Sequence, residues 1–150
     1  MADIPDMDKL IASIRLHEGT GPVVNGKFMP YNDSLGNPTI AWGHLISKGI
    51  TNAAGMQIFR DDLTDVRMEA EAQDWWAAVA NDDVRSRALC EILFNLGLSR
   101  LNGFVKALGY LREGDFGDAA NEFRNSTWFG QVGKRAVILT EMIETGQDPS

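Results

Sequence analysis

Tyr31-Asn32-Asp33-Ser34-Leu35-Gly36-Asn37-Pro38-Thr39-Ile40-Ala41-Trp42-Gly43-His44-Leu45 is the stretch on which the fold turns. Its first half is dense in turn formers: Asp33, Ser34, Gly36, Asn37 and Pro38. Thr39-Ile40-Ala41-Trp42 then reads as a short strand, because β-branched and aromatic side chains suit a pleated surface. Just upstream lies Val23-Val24-Asn25-Gly26-Lys27-Phe28. Asn-Gly tolerates φ > 0 at both central positions of a type I′ turn, so this segment predicts a hairpin. Glycine and proline concentrate between residues 19 and 49, which predicts a small sheet of two or three strands there.

On both sides of this segment the pattern is helical. Residues 6–17 predict a first helix with Leu10, Ile11, Ile14 and Leu16 as apolar positions, stopped by Gly19 and Gly21. Thr51 is a candidate N-cap for a long helix. Phe59, Leu63, Val66 and Ala70 recur at i, i+4, i+7 and i+11, one helical face. That helix is expected to run to about Ala80 or to break near Trp75-Trp76. Asp82 or Asp83 caps the next, with Ala88, Leu89, Ile92, Leu93 and Leu96 as its stripe and Gly97 as its end. Further helices are expected over Phe104–Leu111, after Asp115, and over Val132–Glu144 with Gly146 as the stop. Trp75, Trp76 and Trp128 are read as core. The fold class is α+β, mostly helical. A small sheet-bearing lobe over about 12–55 and a helical lobe over about 56–150, which also takes the first helix, form a single domain joined by a long helix.

Composition removes several functions. The 150 residues hold 21 acidic and 14 basic side chains, a net charge of −7. That disfavours nucleic acid as the main partner. The charge is uneven: Asp61 to Asp74 is strongly acidic, whereas residues 100–135 hold six bases against four acids. The longest apolar run, Trp75 to Ala80, is far short of the roughly 20 residues of a membrane span. One cysteine and two histidines make neither an internal disulfide nor a zinc framework. Cys90, within Ala88-Leu89-Cys90-Glu91-Ile92-Leu93, reads as a buried free thiol. The opening MADIPDMDKL has no basic or apolar leader character.

A pair of carboxyl groups is the simplest apparatus for cleaving a glycosidic bond. One protonates the leaving oxygen and the other handles water or the developing cation. Glu18, at a helix end among apolar residues and glycines, and Asp33, in the turn, are the candidates. Thr39 adds a hydroxyl six positions after Asp33.

The wider constellation is more specific. His17-Glu18-Gly19, Tyr31-Asn32-Asp33-Ser34-Leu35-Gly36 and Thr39-Ile40-Ala41-Trp42-Gly43-His44-Leu45 resemble the T-even bacteriophage lysozymes, the phage endolysins. Phe94-Asn95-Leu96-Gly97, Gly103-Phe104 and Ser126-Thr127-Trp128-Phe129-Gly130-Gln131 with Arg135 extend the resemblance over roughly residues 8–146. The chain departs from the pattern in the longer hairpin between Glu18 and Asp33, in Ala41 where a glycine is usual, and in the short loop from His44 to Thr51.

The resemblance implies a lysozyme-like fold and hydrolysis of the β-1,4 bond between N-acetylmuramic acid and N-acetylglucosamine in bacterial peptidoglycan. It implies Glu18 as general acid, Asp33 as the ionised partner and Thr39 as the holder of water. Leu45 and Phe94 match sugar-contacting positions, and Arg135 matches an arginine that pairs with the catalytic glutamate. It offers Asp62 as the partner of His44. No cofactor or metal, no membrane insertion and a monomer are expected. The enzyme is expected in the host cytoplasm until a holin releases it to the wall. Two alternatives stay open: a lytic transglycosylase on a related fold, and a non-catalytic wall-binding module.

Overall fold

A computed structural model describes residues 4–19 and 21–149; the side chain of Glu18 lies outside what it describes. The first of two units spans Met1–Met56 and the second Gln57–Ser150.

In the first unit, helix α1 runs Met7–Glu18. Asp6 caps its start by accepting the Lys9 N–H at 3.1 Å, satisfying one of the amides a helix leaves unpaired. Gly19 ends it at φ +67, a conformation only glycine adopts without cost. β1 (Val23–Val24) and β2 (Lys27–Phe28) then pair antiparallel, Val23 opposite Phe28 and Val24 opposite Lys27. Asn25 and Gly26, both at positive φ, form the predicted turn. A separate three-stranded antiparallel sheet follows in the order β3 (Tyr31–Asn32), β4 (Pro38–Ile40), β5 (His44–Leu45). Gly21 sits where a Cβ would collide with the Tyr31 ring, so this position admits nothing larger.

The predicted strand ends early. β4 stops at Ile40, and Ala41-Trp42 form a tight turn. The cause is Ala41, held at φ +58 ahead of Gly43 at φ +88. A left-handed alanine crowds its Cβ against the backbone at roughly 1–2 kcal/mol. Ala41→Gly relieves that crowding but adds freedom to the unfolded chain, worth about 0.4–1 kcal/mol. The first unit should therefore gain on the order of 0.5 kcal/mol, the difference of those two effects, read as a later midpoint in urea unfolding. An earlier midpoint contradicts a strained Ala41.

The second unit is helical. α2 (Asn52–Glu71) begins in one unit and enters the next, with Thr51 Oγ1 accepting the Ala54 N–H at 3.1 Å as its cap. It ends at Glu71, short of the tryptophans, and a 3₁₀ turn covers Trp76–Ala78. Asp82 caps α3 (Asp83–Leu96) through the Arg85 N–H, and the stripe Ala88, Leu89, Ile92, Leu93 and Leu96 is buried as expected. α4 (Leu98–Asn102), α5 (Val105–Arg112) and α6 (Phe116–Arg124) follow, the last capped by Asp115. The expected final helix is preceded by another: α7 (Thr127–Val132), capped by Ser126, and α8 (Lys134–Thr145) are separated by Gly133 at φ +72. α6 packs on α5 and α8, and α3 packs on α8. Phe123 is fully buried between the rings of Phe104 at 5.1 Å and Trp128 at 6.0 Å. Arg85 ties the ends together, donating to the Ile143 and Glu144 carbonyls, pairing with Asp82 and lying over the Phe116 ring.

Candidate active site

Asp33 is held by the turn it starts. The Asp33 N–H donates to the Asn37 carbonyl at 2.9 Å, and the Gly36 N–H donates to the Asp33 carbonyl at 3.0 Å. Its carboxylate Oδ1 accepts the Leu35 N–H at 2.9 Å and the Asn37 N–H at 2.8 Å. Oδ2 accepts one longer bond of 3.3 Å from the Asn37 side-chain amide. Donors aimed at a carboxylate favour its charged form. The Asn37 backbone amide, followed by the Leu35 amide, the Asn37 side chain and the Gly36 amide, accordingly holds Asp33 below the ordinary aspartate range. Oδ2 keeps spare acceptor capacity.

Thr39 is the central residue of its sheet. It lies opposite Tyr31 on one side and Leu45 on the other, and it is nearly fully buried. Its hydroxyl donates to the Asn37 carbonyl at 2.8 Å, so its oxygen lone pairs are left to accept. Asn37 thus anchors both polar candidates: it donates to Asp33 and accepts from Thr39. Leu45 is brought beside Thr39 by strand register and is half-buried. Asp33, Thr39 and Leu45 therefore form one group on one small sheet.

Glu18 is the last residue of α1; its side chain, and with it the expected pairing to Arg135, lies outside the described residues. The turn after α1 is joined to the end of β4 by the Gly21 N–H, which donates to the Ala41 carbonyl at 3.1 Å. His44 is half-buried, and its Nε2 is buried with no hydrogen-bond partner among the described residues.

The second unit carries a groove of about 820 Å³. Phe59, Leu63, Val66 and Phe94 form its apolar side, with Phe94 edge-on to Phe59 at 5.9 Å. Phe59 and Leu63 remain exposed there, so only Val66 and Ala70 of the predicted α2 stripe join the core. Arg135 also lines the groove and donates its Nε–H to Glu91 at 3.1 Å. Cys90 is half-buried on the same wall, less enclosed than expected, and its burial pushes the thiol upward. Trp75 and Trp128 are core; the Trp128 indole donates to Asn95 at 2.8 Å. Sequence reasoning missed Asn37 and Glu91. Asn37 carried a signal, an Asn-Pro step closing a turn that Asp33 opens; Glu91 carried none, being 44 residues from Arg135.

No group of three or more His, Cys, Asp or Glu side chains among the described residues could hold a metal ion. No described helix is long and apolar enough to cross a membrane.

Residues 24–141 match the family described as phage lysozyme, a span that includes Asp33, Thr39, Leu45, Phe94 and Arg135 and begins after Glu18. The chain is similar to a probable T4-type lysozyme 2 of Dictyostelium discoideum, 28% identical over 80% of this chain and 88% of the relative. A second protein of that organism, probable T4-type lysozyme 1, is 25% identical over the same shares. It is also similar to the pre-baseplate central spike protein Gp5 of Enterobacteria phage T4, 27% identical over 77% of this chain and 25% of that longer protein. With the α+β architecture and the matched span together, the chain belongs to the phage lysozyme family and is a glycoside hydrolase of the lysozyme type, acting on peptidoglycan.

Proposed function

We propose that the chain is a phage endolysin that hydrolyses the β-1,4 bond between N-acetylmuramic acid and N-acetylglucosamine, acting as a single lysozyme-like domain and as a monomer. Glu18 is the general acid that protonates the leaving glycosidic oxygen. That role needs a carboxyl still protonated near neutral pH. Lysozyme is the standard illustration, its acidic glutamate being raised to about 6 by an apolar pocket. Asp33, already favoured as an anion, faces the developing positive charge or takes a proton from the attacking water through Oδ2. Thr39, whose own proton is spent on Asn37, accepts from that water and fixes its orientation. Leu45 and Phe94 contact sugar, and Arg135 supports the acid. Release from the host cytoplasm through a holin completes the lytic role.

The observation that carries the proposal is the junction at Asn37. An ionised carboxylate with a spare oxygen and a hydroxyl with spare lone pairs are anchored on one residue. That is the apparatus for holding one water molecule. The test is cleavage of purified peptidoglycan by the wild-type chain; no release of glycan fragments at any pH overturns the proposal.

The acidic balance gives a further expectation. Bacterial walls are anionic, and a chain of net charge −7 is repelled by them. Salt at about 0.1 M shortens the reach of such repulsion to about 10 Å. Lysis rates should hold or rise from low salt to about that concentration. A steady fall from the lowest salt upward contradicts this.

A further inference from the structure

Trp42 is too exposed for a core residue, at 40%, yet its ring is engaged. The Arg15 guanidinium lies over it, 4.8 Å from the ring centre. Phe28 of the hairpin meets it edge-on at 4.7 Å. Arg15 stands one helical turn before Glu18 in α1, and its carbonyl accepts the Gly19 N–H that closes the helix. Trp42 stands three residues after Thr39, swung out of strand direction by the left-handed Ala41. The Gly21–Ala41 backbone bond is another tie between the same two segments.

We propose that Arg15 and Trp42 are positioning residues: their cation–π contact sets the last turn of α1, which carries Glu18, against the end of β4, which carries Thr39. The inference rests on the assignment of Glu18 and Thr39 under the proposed function. The Gly21–Ala41 hydrogen bond fixes the backbones of the two segments at one point and leaves rotation about it to be restrained. A second tie on the side-chain level restrains that rotation, and Phe28 blocks the ring from rotating away. Such a contact is too weak at an exposed site to decide folding. Its leverage is geometric, since a displacement of about 1 Å between reacting groups costs up to about 10²-fold in rate. The longer hairpin thereby gains a role, since it supplies the ring that holds Trp42 in place.

The experiment compares wild type, Arg15→Gln, Trp42→Leu, Trp42→Phe, the Arg15→Gln/Trp42→Leu double variant and Glu18→Gln, on purified peptidoglycan and by thermal melting. Arg15→Gln and Trp42→Leu should each lower kcat by about tenfold, well below their melting temperatures, with KM changed less than about twofold. Trp42→Phe, which keeps a ring face for the cation, should recover most of the loss. The double variant should be no slower than the slower single, because both remove one contact. Wild-type kcat in Arg15→Gln, with Glu18→Gln inactive, overturns the positioning role and leaves the hydrolase reading intact. Losses that multiply in the double variant, or that Trp42→Phe does not recover, also overturn it. An inactive wild type, or an active Glu18→Gln, overturns the underlying reading instead.

Discussion

Glu18→Gln should reduce peptidoglycan hydrolysis by roughly 10²–10⁴-fold, the usual worth of a general acid, while the protein melts as the wild type does. Glutamine keeps the length and shape of the side chain and cannot supply a proton. Position 18 is the last residue of α1, and the Gly19 N–H that closes the helix by donating to the Arg15 carbonyl is a backbone bond that the substitution keeps. The fold therefore has little reason to suffer. Initial rates of fragment release, run beside thermal melts, decide it. Near-normal hydrolysis by a normally folded variant removes Glu18 from the acid's role.

Asp33→Asn should cripple hydrolysis, Thr39→Ala should weaken it, and the double variant should be little slower than Asp33→Asn alone. Groups that act on one water molecule lose their effects together, so the losses do not multiply. Multiplying losses mean separate roles. Asparagine can still accept the Leu35 and Asn37 amides through Oδ1, so the turn survives the change, whereas alanine at 33 loses all three bonds and should melt earlier. Thr39→Ala deletes one hydrogen bond in a buried place, about 1 kcal/mol.

The charge of Asp33 gives this a pH dependence of known sign. Its carboxyl is held lower in the folded chain than in the unfolded one, so the anion is favoured by folding. That contribution is complete above the free value of about 3.9 and is lost as pH falls through the folded value. Wild type should lose stability relative to Asp33→Asn only in that acid range. At the pH of hydrolysis Asp33 is charged, and titration near neutrality belongs to another group.

What the sequence made legible was local. Asn25-Gly26, the caps at Thr51 and Asp82, and the α3 stripe depend on residues within a turn or two of each other. The strand through Ala41-Trp42 was misread because an alanine at positive φ carries no local signal; its β-like neighbours pointed the other way. Val132–Glu144 hid a break at Gly133, and α7 before it was passed over despite Ser126. Arg85 holding the end of α8 could not be read at all, since its partners lie 58 and 59 residues away. At the site, the Asp33 and Thr39 spacing was visible, and their meeting on Asn37 followed from a turn whose closing bonds sequence only suggests. Arg135 choosing Glu91 is again a long-range pairing.

Mass spectrometry of the fragments released from purified peptidoglycan tests the central claim most directly. A muramidase places water on the cleaved bond, so the new ends must be reducing N-acetylmuramic acid, heavier by one water than an anhydro end. The Asn37-anchored pair of Asp33 and Thr39 predicts that product as the dominant one, lost together with activity in Glu18→Gln. Dominant 1,6-anhydro ends, formed by the sugar's own hydroxyl without water, contradict the account.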